Sequence, residues 1–536
     1  MKATPLKRLG NKLWGEDSKH EIPNREIGRF TMGAFGQNVG ISMMTFLLFY
    51  CVNVLYINPL LVGGALFAIR IWDAFTDIPG GILMDRKVFA GLFKSEEKFR
   101  PMLKQVALPM GVLIAFMFSV GLVGHKGVGE PNMLAFVLLM IAFFFYSILY
   151  TFQDIAQWGI CSLAGTTSEE RGRISQWGRT GAMVGGLPKE IIPLIIGAVA
   201  VGQRRWVFAV AGLILGLGGM LLSRFNYAVS ERAHAPKLEE NVLEPLKLLL
   251  KNKVVLLAML SSILGGVTLT IGYIHFFEYL VSFNIFGKQL DGITSGFIFG
   301  LITGIPSMLG IFGTTKLAKK LGGMRNVLIF VPLVQLVCRV LAFAFVSSLA
   351  SFNTVWGVLI AGFFLFIAST PNNMRGVAQT ALFSDSLDKI ELETGKRNEA
   401  SVFAMINLIA KAGGALNVLF AGITLTLLRY DAGAIDEIRA ELIKAGMSSA
   451  EALAVARESL SPVFVRWAWP VFMLAPAFGA ILTIIPLLFI KHNKKEQERI
   501  ESALKELRER NLKSEELPCE ETATDSPLEE EPQNNE

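Results

Sequence analysis

The chain has 536 residues, 52% of them hydrophobic and only 18% charged, with a formal net charge of +6. A composition this apolar over this length excludes an ordinary soluble enzyme and points to a protein that crosses a bilayer many times. The positive balance does not mark a nucleic-acid binder, because the basic residues are spread through short segments between apolar runs, as loop charge is. The four cysteines, Cys51, Cys161, Cys338 and Cys519, include no CxxC pair, so neither a zinc site nor a disulfide framework is suggested.

In chain order, residues 1–28 are polar and mixed in charge, with no cleavable signal, and read as a cytoplasmic N-terminal segment. Twelve apolar runs long enough to span a bilayer follow, at 30–54, 59–84, 102–123, 133–164, 177–201 and 206–222, then at 254–282, 293–314, 327–346, 354–383, 400–428 and 465–490. Basic residues concentrate before the first run and in alternate loops, for example Arg86, Lys87, Lys94, Lys98 and Arg100, which predicts both termini in the cytoplasm. The polar stretch 225–253 is the expected central linker between an N-terminal bundle, 29–224, and a C-terminal bundle, 254–490. Within the second, residues 429–464 read as an extracytoplasmic insert with one or two amphipathic helices, and Ser448 with Glu451 has capping-box spacing. Residues 491–536 read as a charged cytoplasmic tail, largely disordered. The predicted fold class is therefore all-α and polytopic, with twelve transmembrane helices in two six-helix bundles.

Charge inside these runs is expensive, so intramembrane ionisable groups default to a functional role. The densest stretch is Arg70-Ile-Trp-Asp73-Ala-Phe-Thr-Asp77, where two carboxylates four residues apart share one helix face with Arg70. One arginine cannot neutralise two aspartates, and the remaining negative charge suits Na+ or H+. The bland alternative is a buried Arg–Asp pair that locks two helices. In the fourth run Asp154 and Trp158 again lie four apart: an indole stacks on the apolar face of a sugar ring while the carboxylate accepts hydroxyl hydrogens. Trp158 as an interface anchor is the competing view. Arg179 and Lys411 stand in the fifth and eleventh runs, Lys411 followed by Gly413-Gly414, which lets a helix or ligand come close. Arg375 lies in Ser369-Thr-Pro-Asn-Asn-Met-Arg375-Gly, a polar break of the kind that lines cavities. His275 and Glu278 in the seventh run read as a gate or proton relay, or equally as a bonded pair at the membrane surface.

These segments resemble the melibiose permease group of glycoside-pentoside-hexuronide:cation symporters, within the major facilitator superfamily. The resemblance rests on Gly33-Ala-Phe-Gly36, Arg70-Ile-Trp-Asp73-Ala-x-x-Asp77, Asp154 with Trp158, and Ser384-Asp385-Ser-Leu-Asp388 leading to Lys411-Ala-Gly-Gly414. It implies the major facilitator fold, a cation site at Asp73 and Asp77 with Thr151 adding an oxygen, and a sugar site lined by Asp154, Trp158, Arg179 and Lys411 with Tyr150 beside them. The chain departs from that pattern in three places that bear on the solute and the ion, one of them Gly376, which stands where the family has a tryptophan of the tenth span. Asn38, uncharged, stands near the position of a sugar-binding aspartate, and Thr76 replaces an asparagine before the second cation aspartate, offering a hydroxyl as a ligand. Arg375, next to Gly376, is taken with the substrate-site residues.

The resulting expectation is a secondary transporter, not an enzyme: a symporter coupling Na+ or H+ to a sugar or sugar-like solute by alternating access. Arg179, Arg375 and Lys411 together suggest an anionic, hexuronide-like solute. The alternatives are a lysophospholipid symporter of the same fold, a non-transporting receptor, and a membrane-embedded enzyme, the last disfavoured by the lack of HExxH and GxSxG motifs. No cofactor beyond the coupling cation, no nucleic acid and no obligate protein partner are expected. The expected location is the plasma (inner) membrane.

Overall fold

The computed structural model of the protein describes residues 20–85, 94–95, 97–125, 127–232, 252–281, 283–285, 288–290, 292–379, 381–383, 392, 399–490, 499 and 502–503. Most of the tail, residues 233–251 of the central linker, and the Ser384–Asp388 motif lie outside them. Among the described residues eleven helices are long and apolar enough to cross a membrane. They are the first six crossings, from Asn24–Asn53 to Val201–Ala228, and five later ones, from Gly292–Leu321 to Pro462–Leu488. The seventh crossing, expected as one run over 254–282, is broken. It consists of Lys253–Gly266 and Tyr273–Leu280, joined by non-helical chain that starts in a bend at Val267 and Thr268.

Local chemistry explains the break. Gly266 backs onto Gly413, whose carbonyl oxygen a Cβ would meet at 2.6 Å. Beyond it, the Thr270 N–H is taken by the Thr424 hydroxyl at 3.1 Å rather than by a helical carbonyl. Non-helical backbone is tolerated at membrane depth only where protein or a water-filled cavity receives it, and here the eleventh crossing does so. A two-stranded hairpin follows, Phe283–Ile285 paired antiparallel with Lys288–Leu290, the only strands among the described residues.

Proline supplies a second departure from ideal helix. Pro476 lies inside the twelfth crossing and has no N–H to give the Phe472 carbonyl four residues back. The Arg339 guanidinium, from the ninth crossing, donates to that carbonyl at 3.1 Å. A lone arginine in an apolar span thus has a structural explanation. Arg325 likewise donates to the carbonyls of Leu487 and Leu488, closing the C-terminal end of the same helix.

The second and eleventh crossings pack closely because both carry glycine at the contact: a Cβ on Gly63 would meet the Gly422 Cα at 3.1 Å. This approach brings residues of the two halves together along the molecule's midline. The 429–464 segment forms two helices, Ala432–Lys444 and Ser449–Glu458. The second begins with the expected capping box between Ser448 and Glu451, whose bonds hold the Glu451 carboxyl below its ordinary range.

Candidate functional site

The helix Pro59–Asp85 runs through the Arg70–Asp77 stretch without a break, so Asp73 and Asp77 lie one turn apart on the same face. Thr151, from the fourth crossing, has its Oγ1 3.0 Å from Asp73 Oδ1 and 3.0 Å from Asp77 Oδ1. A hydroxyl has one hydrogen, so it can bridge the carboxylates but cannot satisfy both at once. Lys411 completes the cluster from the eleventh crossing, its Nζ 2.6 Å from Asp77 Oδ1 and 3.0 Å from Asp73 Oδ2. The Lys411 ammonium, not the Arg70 guanidinium, makes these ion pairs. Arg70 instead reaches Gly414, where a Cβ would lie 3.6 Å from its Nη1.

Arg70, Asp73, Tyr146, Tyr150, Asp154 and Lys411 face a common cavity of about 360 Å³. Tyr146 and Tyr150 stack with centroids 6.0 Å apart, and the Lys411 Nζ lies 5.5 Å from the Tyr150 ring. The cavity thus offers aromatic surface, phenol hydroxyls and one carboxylate, Asp154, beside the Asp73–Asp77–Lys411 cluster. With every group ionised, two cations (Arg70 and Lys411) stand against three carboxylates (Asp73, Asp77 and Asp154), leaving one negative charge.

The other expected residues fall into place unevenly. Thr76 donates to its own helix, at the Asp73 carbonyl 2.9 Å away, so Thr151 is the hydroxyl that meets the carboxylates. Asn38 donates to the Ala34 carbonyl at 3.1 Å. Trp158 bonds the Asp154 side chain and also carries Arg179 over its indole, the guanidinium 5.0 Å from the ring, while neither residue is in the wall of the cavity itself. Arg375 is not brought to the cluster: its Nη2 lies 3.5 Å from the Ser261 carbonyl on the seventh crossing. Glu278 turns to Arg204 and Asn53, and His275 packs edge-on against Phe49 and Tyr430, so these two serve a different place in the molecule. Tyr146 was not singled out from the sequence, although it stands four residues before Tyr150 and therefore on the same face.

A sequence model of the family described as MFS/sugar transport protein matches residues 29–494. The "Uncharacterized symporter YjmB" of Bacillus subtilis is 24% identical over 461 residues, covering 84% of this chain and 93% of that protein. A candidate 2,3-dihydroxypropane-1-sulfonate exporter of Salmonella typhimurium is 23% identical over 442 residues, covering 78% of this chain and 88% of that one. Among solved structures, an inward-facing, occupied bacterial homologue of the human lysosomal transporter Spinster superposes with a TM-score of 0.52 at 11% identity, covering 93% of this chain and 98% of that one, which shows a shared fold. The match runs through all the crossings and the cavity between them, and the chain belongs to the MFS/sugar transport family of the major facilitator superfamily, as an integral membrane transporter.

Proposed function

We propose that the protein is a cation-coupled symporter of a neutral, polyhydroxylated, sugar-like solute. The observation that carries this reading is the Lys411 ammonium held against both Asp73 and Asp77 while it also faces the cavity that contains Asp154 and Tyr150. Lys411 acts as a tethered counter-ion. A small cation arriving at Asp73, Asp77 and Thr151 takes over its partners, and the freed ammonium turns toward Asp154 and the solute hydroxyls. Cation binding thereby improves the solute site, and by linkage the solute improves the cation site by the same factor. The halves 29–224 and 254–490 rock about this cavity to expose it alternately to each side.

The charge inventory favours a neutral solute: one coupling cation balances the single excess negative charge, and an anion would restore it in a poorly hydrated place. A second reading, an anionic solute, is favoured by the sulfonate named for one relative and by Arg179 beside the cavity. Proteoliposomes with an imposed Na+ or H+ gradient, tested with matched neutral and carboxylated sugars, separate the two. Gradient-driven accumulation of the neutral member is the expected result. Accumulation of the carboxylated member alone supports the anionic reading, and accumulation that ignores both gradients removes cation coupling.

A further inference from the structure

Among the described residues, Arg204, Glu278 and Asp436 are the most deeply buried charged side chains outside the cavity, with relative exposures of 2%, 2% and 0%. They come from the start of the sixth crossing, the second half of the broken seventh, and the helix Ala432–Lys444. Arg204 pairs with Glu278 and lies 3.6 Å from Asp436 Oδ2. Asn53, at the end of the first crossing, donates to Glu278 Oε2 at 2.7 Å and to the Tyr430 hydroxyl at 2.6 Å. Tyr56 reaches Asp436 Oδ2 at 3.5 Å. Asn53, Tyr56 and Arg204 belong to the first half of the chain; Glu278, Tyr430 and Asp436 belong to the second.

Backbone contact reinforces the charges. Gly433 and Gly129 press together so closely that a Cβ on Gly433 would meet the Gly129 carbonyl oxygen at 2.7 Å. Gly129 sits in the loop between the third and fourth crossings, at φ +90°, a conformation that favours glycine. On its other side the 429–464 segment is anchored to its own half, since Arg457 of the helix Ser449–Glu458 donates to the Val281 carbonyl at 2.8 Å. A segment inserted between the eleventh and twelfth crossings therefore docks on the opposite half.

We propose that the helix Ala432–Lys444 is a clasp that holds this end of the transporter shut, with Asp436 as the positioning residue that completes the inter-half network around Arg204 and Glu278. Buried charges of this kind hold only as a set. Removing one partner leaves the others uncompensated where they are dry, whereas separation of the halves lets water solvate them all. The closed arrangement consequently depends on each member, and losing one shifts the population toward the state open at this end. The inference needs only that the protein alternates between two faces. It does not depend on cation coupling or on the identity of the solute.

Asn417 is the reporter. It is exposed in this structure and lines the chamber that Phe49 and His275 also line, between the halves. In full-length protein whose four native cysteines are replaced by alanine, Asn417→Cys is labelled with a membrane-impermeant maleimide added from the face that carries residues 429–464. Asp436→Asn is expected to raise the labelling rate about tenfold, and Asn53→Ala, which deletes the two cross-half amide bonds without touching a charge, to raise it severalfold. Glu441→Gln, an exposed change on the same helix, is expected to leave it at the parent rate. Labelling from the opposite face should fall in step. Unchanged labelling in both Asp436→Asn and Asn53→Ala, in samples that remain monodisperse and melt at the parent temperature, overturns the clasp. Should Asp436→Asn fail to fold, Asn53→Ala decides alone.

Discussion

Lys411 reaches from the eleventh crossing to the second, placing its Nζ 2.6 Å from Asp77 Oδ1 and 3.0 Å from Asp73 Oδ2. One ammonium thus holds two carboxylates that stand one helical turn apart, and it does so across the junction of the two halves. In the coupling proposed above, a group in this position stabilises the cation-free protein and competes with an entering cation.

Lys411→Gln tests the competition. The change leaves Asp73 and Asp77 facing each other with no cation in contact, Arg70 being the one that remains in the cavity, which should cost about 1–3 kcal/mol in the absence of added cation. Na+ or protons should restore more stability in the variant than in the parent, because ligand binding to the folded state raises apparent stability. Thermal melting across a cation series at fixed ionic strength measures it. An identical cation response in parent and variant contradicts competition.

Two threonines should behave differently. Thr151→Val removes the hydroxyl that touches both carboxylates and is expected to weaken the cation effect on solute affinity by about 1 kcal/mol. Thr76→Val removes a hydroxyl bonded to its own backbone and should leave that effect at the parent value. Solute titrations with and without cation compare them; equal losses would place Thr76 at the site as well.

The pairing of Arg339 with the Phe472 carbonyl predicts a coupled pair of mutations. Arg339→Leu leaves that carbonyl without a donor and should cost about 1–3 kcal/mol. Pro476→Ala restores an N–H four residues on, so the double variant should lose less than Arg339→Leu alone. Additive melting-temperature changes would show that the guanidinium serves something else.

Sidedness follows from the alternation of basic loops. Reporters inserted after Lys87 and at Lys247 should be cytoplasmic, and one after Gly446, an exposed turn between the two insert helices, should lie on the other face. A cytoplasmic signal at Gly446 would overturn the orientation.

Much of this was legible in the residues. Asp73, Asp77 and Asp154 stand out because charge is costly in apolar runs, and helix periodicity places the first two on one face without any structure. Capping-box spacing at Ser448 and Glu451 marks a helix start that the structure contains. What local pattern does not carry is rotation and partnership. Nothing near Lys411 in the chain says that it will close on Asp77, 334 positions away. The orientation of Arg375, which meets Ser261 rather than the cavity, depends on how its helix is turned. The break in the seventh crossing arises from the approach of Gly266 to Gly413, a tertiary contact that hydropathy alone does not register. Asp436 lies in the insert that reads only as one or two amphipathic helices, and docking on the opposite half is what buries it.

The most direct test of the central claim is equilibrium binding of a transported sugar to the purified protein, with and without Na+ and across a pH series, in the parent, Asp73→Asn and Asp77→Asn. Coupling through the Asp73–Asp77–Lys411 cluster predicts that the cation tightens sugar binding in the parent by about 5- to 150-fold, that the sugar tightens cation binding by the same factor, and that either asparagine variant, still folded, removes both effects. Sugar affinity that is the same with and without cation in the parent, or cation-dependent to the same degree in both variants, would contradict it.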